Sequence, residues 1–167
     1  MKRVCAWCKK SMGEVQSILH DNHAITHGIC DSCLNDLFID KNIDFIPFLN
    51  SISAPVILID EENTYLSAND SALNFLGKDH QHFKQKKTGD IFTCENAHLP
   101  GGCGHTDKCG GCQLIKLIND TYEGEDHFEH VPITITQQKD NTRQKVNLKL
   151  TTEKVNGLVL MRIDDHS

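Results

Sequence analysis

Residues 55–77 read PVILIDEENTYLSANDSALNFLG. Val56-Ile57-Leu58-Ile59 is a short apolar run bounded by Pro55 and the acidic Asp60-Glu61-Glu62, so it reads as a strand. Thr64-Tyr65-Leu66 reads as its hairpin partner. Asp70 then caps a short helix carrying Ala72, Leu73 and Leu76, which Gly77 closes.

Working outward, the N-terminal side supplies Phe45, Phe48, Leu49 and Ile52 at helical spacing, with Pro47 tolerated in the first turn. On the C-terminal side Ile133 and Ile135 alternate with threonines. Val146, Leu148 and Leu150 alternate with polar residues, and Leu158 to Ile163 follows the tight-turn pair Asn156-Gly157. The order is two strands, a helical middle and three antiparallel strands. That is an α+β order, with no alternation of strand and helix to suggest a parallel sheet.

The stretches FLNSISAPVILID (48–60) and NTYLSANDSALNFLG (63–77) resemble the entry helix, first two strands and first helix of a PAS sensor domain. Leu158 to Asp165 resembles the last strand of such a domain. The resemblance spans roughly two-thirds of the chain. It implies a PAS-like five-stranded antiparallel sheet with helices on one face, used in that family for ligand or redox sensing. Fold alone does not supply the function.

The chain has 167 residues, enough for one domain and a small module. Residues 1–36 form a four-cysteine module of zinc-ribbon or zinc-finger type. Residues 37–54 form a connector with a helix, and 55–167 the PAS-like domain with a cysteine-rich insertion at 94–112. Seventeen Lys and Arg against 23 Asp and Glu give a net charge of −6, a poor balance for binding nucleic acid. The first ten residues carry no apolar run, so neither an export signal nor a membrane partner is expected, and a cytoplasmic location is.

Eight cysteines in a reducing compartment, grouped at short spacings, favour metal ligation over disulfides. Cys5 and Cys8, then Cys30 and Cys33, form two CxxC pairs 21 residues apart. Each pair lets one turn aim two sulfurs at the same ion, and two pairs complete a tetrahedron around Zn2+. Four thiolates leave no open position, so the expected role is structural. His20, His23 and His27 lie between the pairs as loop residues, or as hydrogen-bonding neighbours of the ligands. The stretches CAWCKK and HGICDSC resemble small cysteine modules beside bacterial signalling domains.

The second set, Cys94, Cys103, Cys109 and Cys112, has the spacing C-x8-C-x5-C-x2-C and five interspersed glycines. Cys112 stands where a helix begins, with Leu114, Ile115, Leu117 and Ile118 broadly on its buried side. Thiolates alone do not separate zinc from iron. The irregular, glycine-rich loop leans toward an iron–sulfur cluster, with a second Zn2+ pinning the loop as the alternative and a Cys109–Cys112 disulfide as a third reading. The stretch resembles cysteine-rich insertions of some bacterial PAS domains. His98 and His105 flank it, and His127 and His130 open a predicted strand; all four read as ordinary surface or strand histidines. The Lys84 to Lys87 run reads as a solvated face.

No nucleophile–base pair, phosphate loop or paired-carboxylate signature is present, so no enzyme is expected. The expected function is a cytoplasmic sensory module that reads redox state, oxygen or metal and signals through a protein partner or a homodimer. The alternative is a structural adaptor holding two zincs.

Overall fold

The computed structural model describes residues 2–5, 8–14, 25–28, 30, 32–33, 45–124, 127–155 and 157–166. The chain divides into two compact units, Met1–Ser53 and Ala54–Ser167.

In the first unit β1 (Lys2–Cys5) pairs antiparallel with β2 (Ser11–Glu14) and parallel with β3 (Ile25–Gly28), giving the order β2-β1-β3. Helix α1 (Phe45–Asn50) follows with Pro47 in its first turn. Its apolar residues Phe48 and Leu49 are buried, as is Ile52 beyond it. Residues 37–44 of the expected connector lie outside the described residues, as do His20 and His23.

The second unit is a five-stranded antiparallel sheet of order β5-β4-β8-β7-β6. Its strands are β4 (Val56–Ile59), β5 (Tyr65–Ala68), β6 (Phe128–Lys139), β7 (Thr142–Val155) and β8 (Leu158–His166). Strand β4 is all apolar because it lies centrally, between β5 and β8, with Ile57 opposite Met161 and Ile59 opposite Val159. Helices α2 (Asp70–Leu76), α3 (His80–Phe83), α4 (Thr88–Ile91) and α5 (Gln113–Glu123) connect the two halves of the sheet. One face of the sheet presents Ile57, Ile59, Ile133, Leu150 and Met161, which share a core with Ala72, Phe83, Phe92, Leu114 and Ile118 from the helical segment.

One boundary differs from the sequence reading. The cap of α2 is Asn69, not Asp70: the Asn69 side chain accepts from Ala72 N, and Asp70 is the first helical residue. Both residues can cap, and the fully buried Asn69 also accepts from the N–H of Val56, the first residue of β4. Gly77 closes α2 in the left-handed conformation, its N–H donating to Leu73 O. The Asn156 half of the expected Asn-Gly turn lies outside the described residues. Among the described residues no helix is long and apolar enough to cross a membrane.

Candidate metal centres

Each cysteine set belongs to a different unit. Cys5 ends β1, and its carbonyl accepts from Lys9 N while Lys10 O accepts from Cys5 N, a tight turn that carries Cys8. Cys5, Cys30 and Cys33 are buried and Cys8 is exposed. The four Sγ atoms all lie within 4.8 Å of one another, and those of Cys8 and Cys30 are 3.6 Å apart. Four sulfurs at 2.3 Å from one ion would stand about 3.8 Å apart, so this set fits a closed tetrahedral zinc site. Ser32 Oγ, 3.3 Å from Cys30 Sγ, leads the effects that lower the Cys30 pKa to about 6. Burial pushes the Cys33 thiol up. His27 is described only as a residue of β3.

The second set is assembled from the segment between α4 and α5. Cys94 sits beside β6: it forms an isolated bridge with Gln137, Gln138 N donates to Thr93 O, and the Gln137 side chain donates to Phe92 O. Its N–H donates to Gly89 O at 2.8 Å. Cys103 Sγ accepts from Gly89 N at 3.1 Å. Cys109 Sγ accepts from Gly104 N at 3.3 Å and lies 3.1 Å from Thr106 Oγ1. The buried Thr106 hydroxyl itself accepts from Lys108 N, which leaves its proton for the sulfur. Cys112 is the N-cap residue of α5. Gly101 makes the loop close on itself: its φ is +100°, and a Cβ there would stand 2.7 Å from His105 O.

All four of these cysteines line one cavity of about 350 Å³, whose far wall is Thr134, Ile135 and Thr136 of β6. Among the described residues, the N-terminal set is the group of ligand atoms that closes to mutual distances within 4.8 Å. Cys94, Cys103, Cys109 and Cys112 surround a space without converging on one point. A cluster spreads its cysteines over two or four irons, and four thiols around one cavity are compatible with such a group. Burial raises the Cys94 thiol and takes Cys103 up to about 11, in each case reinforced by the nearby Cys109 and Cys112. At Cys109 burial acts upward, but the donors from Thr106 and Gly104 outweigh it and hold the thiol below its ordinary value.

The flanking histidines stay outside this cavity. His98 and His105 are exposed, and His127 is exposed just before β6. His130 Nδ1 lies 3.1 Å from Asp164 Oδ2, in a network with Thr151 and Arg162. From the Lys84 to Lys87 run, Lys87 turns inward and donates to Glu62 O and Thr64 Oγ1. Gly89 and Thr106 were not singled out in the sequence. A hydroxyl three residues before Cys109 is a weak local signal for Thr106, and nothing local marks Gly89.

The family model described as "PAS domain" matches residues 45–108. A LOV protein of Rhodobacter sphaeroides is similar over 80% of this chain and 67% of its own, with TM-score 0.51 and 11% identity. The second unit has the PAS fold. At that identity the likeness speaks for fold alone. Also similar are a domain of a sensory box sensor histidine kinase/response regulator from Geobacter sulfurreducens and a PAS domain from Desulfitobacterium hafniense. The first has 13% identity and TM-score 0.49, covering 71% of this chain and 89% of that one. The second has 19% identity and TM-score 0.42, covering 72% and 97%. No curated protein matches the chain. In the second unit the PAS fold carries four cysteines around a cavity of its own.

Proposed function

We propose that this protein is a cytoplasmic, non-enzymatic sensory module whose PAS domain holds an iron–sulfur cluster on Cys94, Cys103, Cys109 and Cys112. It reads redox state, oxygen or metal supply and signals through a protein partner or a second copy. The observation that carries this reading is the ring of four cysteines around a cavity of about 350 Å³ without the close convergence of a mononuclear site. A bound cluster would supply a one-electron couple and sensitivity to oxidants. The residues do the rest. Gly89, Gly104 and Thr106 aim hydrogen bonds at two of the sulfurs, a lever on cluster potential. Cys94 is fastened to β6 and Cys112 opens α5, so a change in the ring bears on the sheet and on a core helix. The N-terminal set holds structural zinc in this reading.

The adaptor reading draws on the same N-terminal set, whose geometry suits zinc, and requires the second set to close further around a second Zn2+. Metal and sulfide analysis with visible absorption, on protein purified without oxygen, separates the two. The expected result is about one zinc together with iron and sulfide and a broad visible band. Cys103→Ser is expected to remove the band and leave the zinc. About two zincs and no colour would replace the sensor with the adaptor.

A further inference from the structure

We propose that Gly89 is the positioning residue of the cysteine ring and the point at which the state of that ring reaches the β4–β5 hairpin. The inference rests on the cluster reading above. Gly89 touches two of the four cysteines with its two backbone groups: its N–H donates to Cys103 Sγ at 3.1 Å, and its carbonyl accepts from Cys94 N at 2.8 Å.

Space, not backbone freedom, is what requires glycine there. Gly89 lies within α4 and does not adopt the left-handed conformation. A Cβ would nonetheless stand 2.6 Å from Cys103 Sγ, 3.0 Å from Cys103 Cβ and 3.3 Å from Ala97 Cβ. Any side chain therefore displaces the sulfur and lengthens the N–H···S bond.

The residues just before Gly89 are fastened to the hairpin. Thr88 N donates to Asn63 O at 3.1 Å, Thr64 and Lys87 form an antiparallel bridge, and Tyr65 N donates to Lys86 O at 2.8 Å. Cys103, Gly89, Thr88 and the Asn63–Tyr65 segment are thus joined in turn by hydrogen bonds and the peptide bonds between them, ending at the first residue of β5. A more negative thiolate draws the Gly89 amide more strongly, because charge-assisted hydrogen bonds are the stronger ones. The tightening passes along that chain to the edge of the sheet.

The test compares full-length wild type and Gly89→Ala, both purified without oxygen, by iron content, redox titration and amide exchange with and without dithionite. In the wild type the amides of Thr88 and Tyr65 are expected to exchange at least threefold more slowly after reduction. In Gly89→Ala that difference disappears. The lost donor disfavours the more negative state, so the reduced-to-oxidised ratio at fixed poise falls about tenfold, a shift of about 59 mV to lower potential for a one-electron couple. Wild type without iron would sink the cluster reading itself. Iron-bound wild type whose Thr88 and Tyr65 amides ignore reduction would overturn this inference alone, as would a Gly89→Ala protein with unchanged potential. A Gly89→Ala protein that keeps its far-UV circular dichroism but loses iron supports the positioning role. If it does not fold, the wild-type exchange comparison decides.

Discussion

Asn69 shows how much one side chain can hold. Its Oδ1 accepts from Ala72 N and from Val56 N, both at 2.9 Å, and its Nδ2 donates to Ala54 O at 2.8 Å. The residue is fully buried, so water cannot replace the two bonds that its Oδ1 accepts. Asn69→Ala removes a helix cap, worth about 1 kcal/mol. It also orphans a donor and an acceptor of the backbone, at about 1–3 kcal/mol each. A loss of about 3–7 kcal/mol is expected, a large share of the 5–15 kcal/mol that holds a typical domain. Asp70→Ala, exposed in the first turn, loses at most about 1 kcal/mol of helix-dipole interaction. Urea denaturation followed by tyrosine emission reads the second unit, because Tyr65 and Tyr122 lie there and the single tryptophan, Trp7, does not. Equal effects of the two variants would return the cap to Asp70.

At the scale of elements, the strands of the second unit were legible because their pattern is local, whereas β1, β2 and β3, four residues each without apolar alternation, were not read. Val56 to Ile59 is an uninterrupted apolar run, and Val146, Leu148 and Leu150 alternate along β7. The short helices α3 and α4 were not, since one turn gives no periodicity to read. The cysteines named both candidate sites, but Gly89 enters only through a contact with Cys103 fourteen residues on, and β6 only through folding. The same is true of how α5 is fixed to the sheet. Thr121 donates to Leu117 O at 2.7 Å within the helix, and its Oγ1 lies 2.7 Å from Thr152 Oγ1 on β7. Both threonines are fully buried. Since the Thr121 proton is used in the helix, Thr152 is the donor between the two. Thr121→Val therefore strands a buried hydroxyl and is expected to cost about 1–3 kcal/mol. Thr152→Val leaves Thr121 satisfied and should cost less than about 1 kcal/mol, and the double variant should be close to neutral because both partners become apolar at constant shape. A denaturant double-mutant cycle measures this; equal, additive losses would mean that the pair does not fasten the helix to the sheet.

The whole chain joins two units that secure their folds by different means. Among the described residues, the second has a core of eighteen buried residues drawn from all five strands and the helices between them. In the first, the buried apolar residues among those described are Cys5, Cys30, Cys33, Phe48, Leu49 and Ile52, so half of them are candidate ligands. A unit of this size buries so little apolar surface that its stability is marginal without added support. Structural zinc contributes about 10–16 kcal/mol in comparable small modules, as much as the total stability of an ordinary domain. Removing the metal should therefore act on one unit and spare the framework of the other. With a strong zinc chelator, the amides of β1, β2 and β3 are expected to lose their protection and Trp7 emission to change, while the amides of β4, β7 and β8 keep theirs. Cys5→Ser should reproduce that result without chelator, since it deletes the most deeply buried ligand of the set. Amide exchange on the full chain reads both units at once. Protection of β1 to β3 that survives complete removal of zinc would show that these strands are held by the chain itself, and would take from the N-terminal cysteines the structural role that their geometry suits.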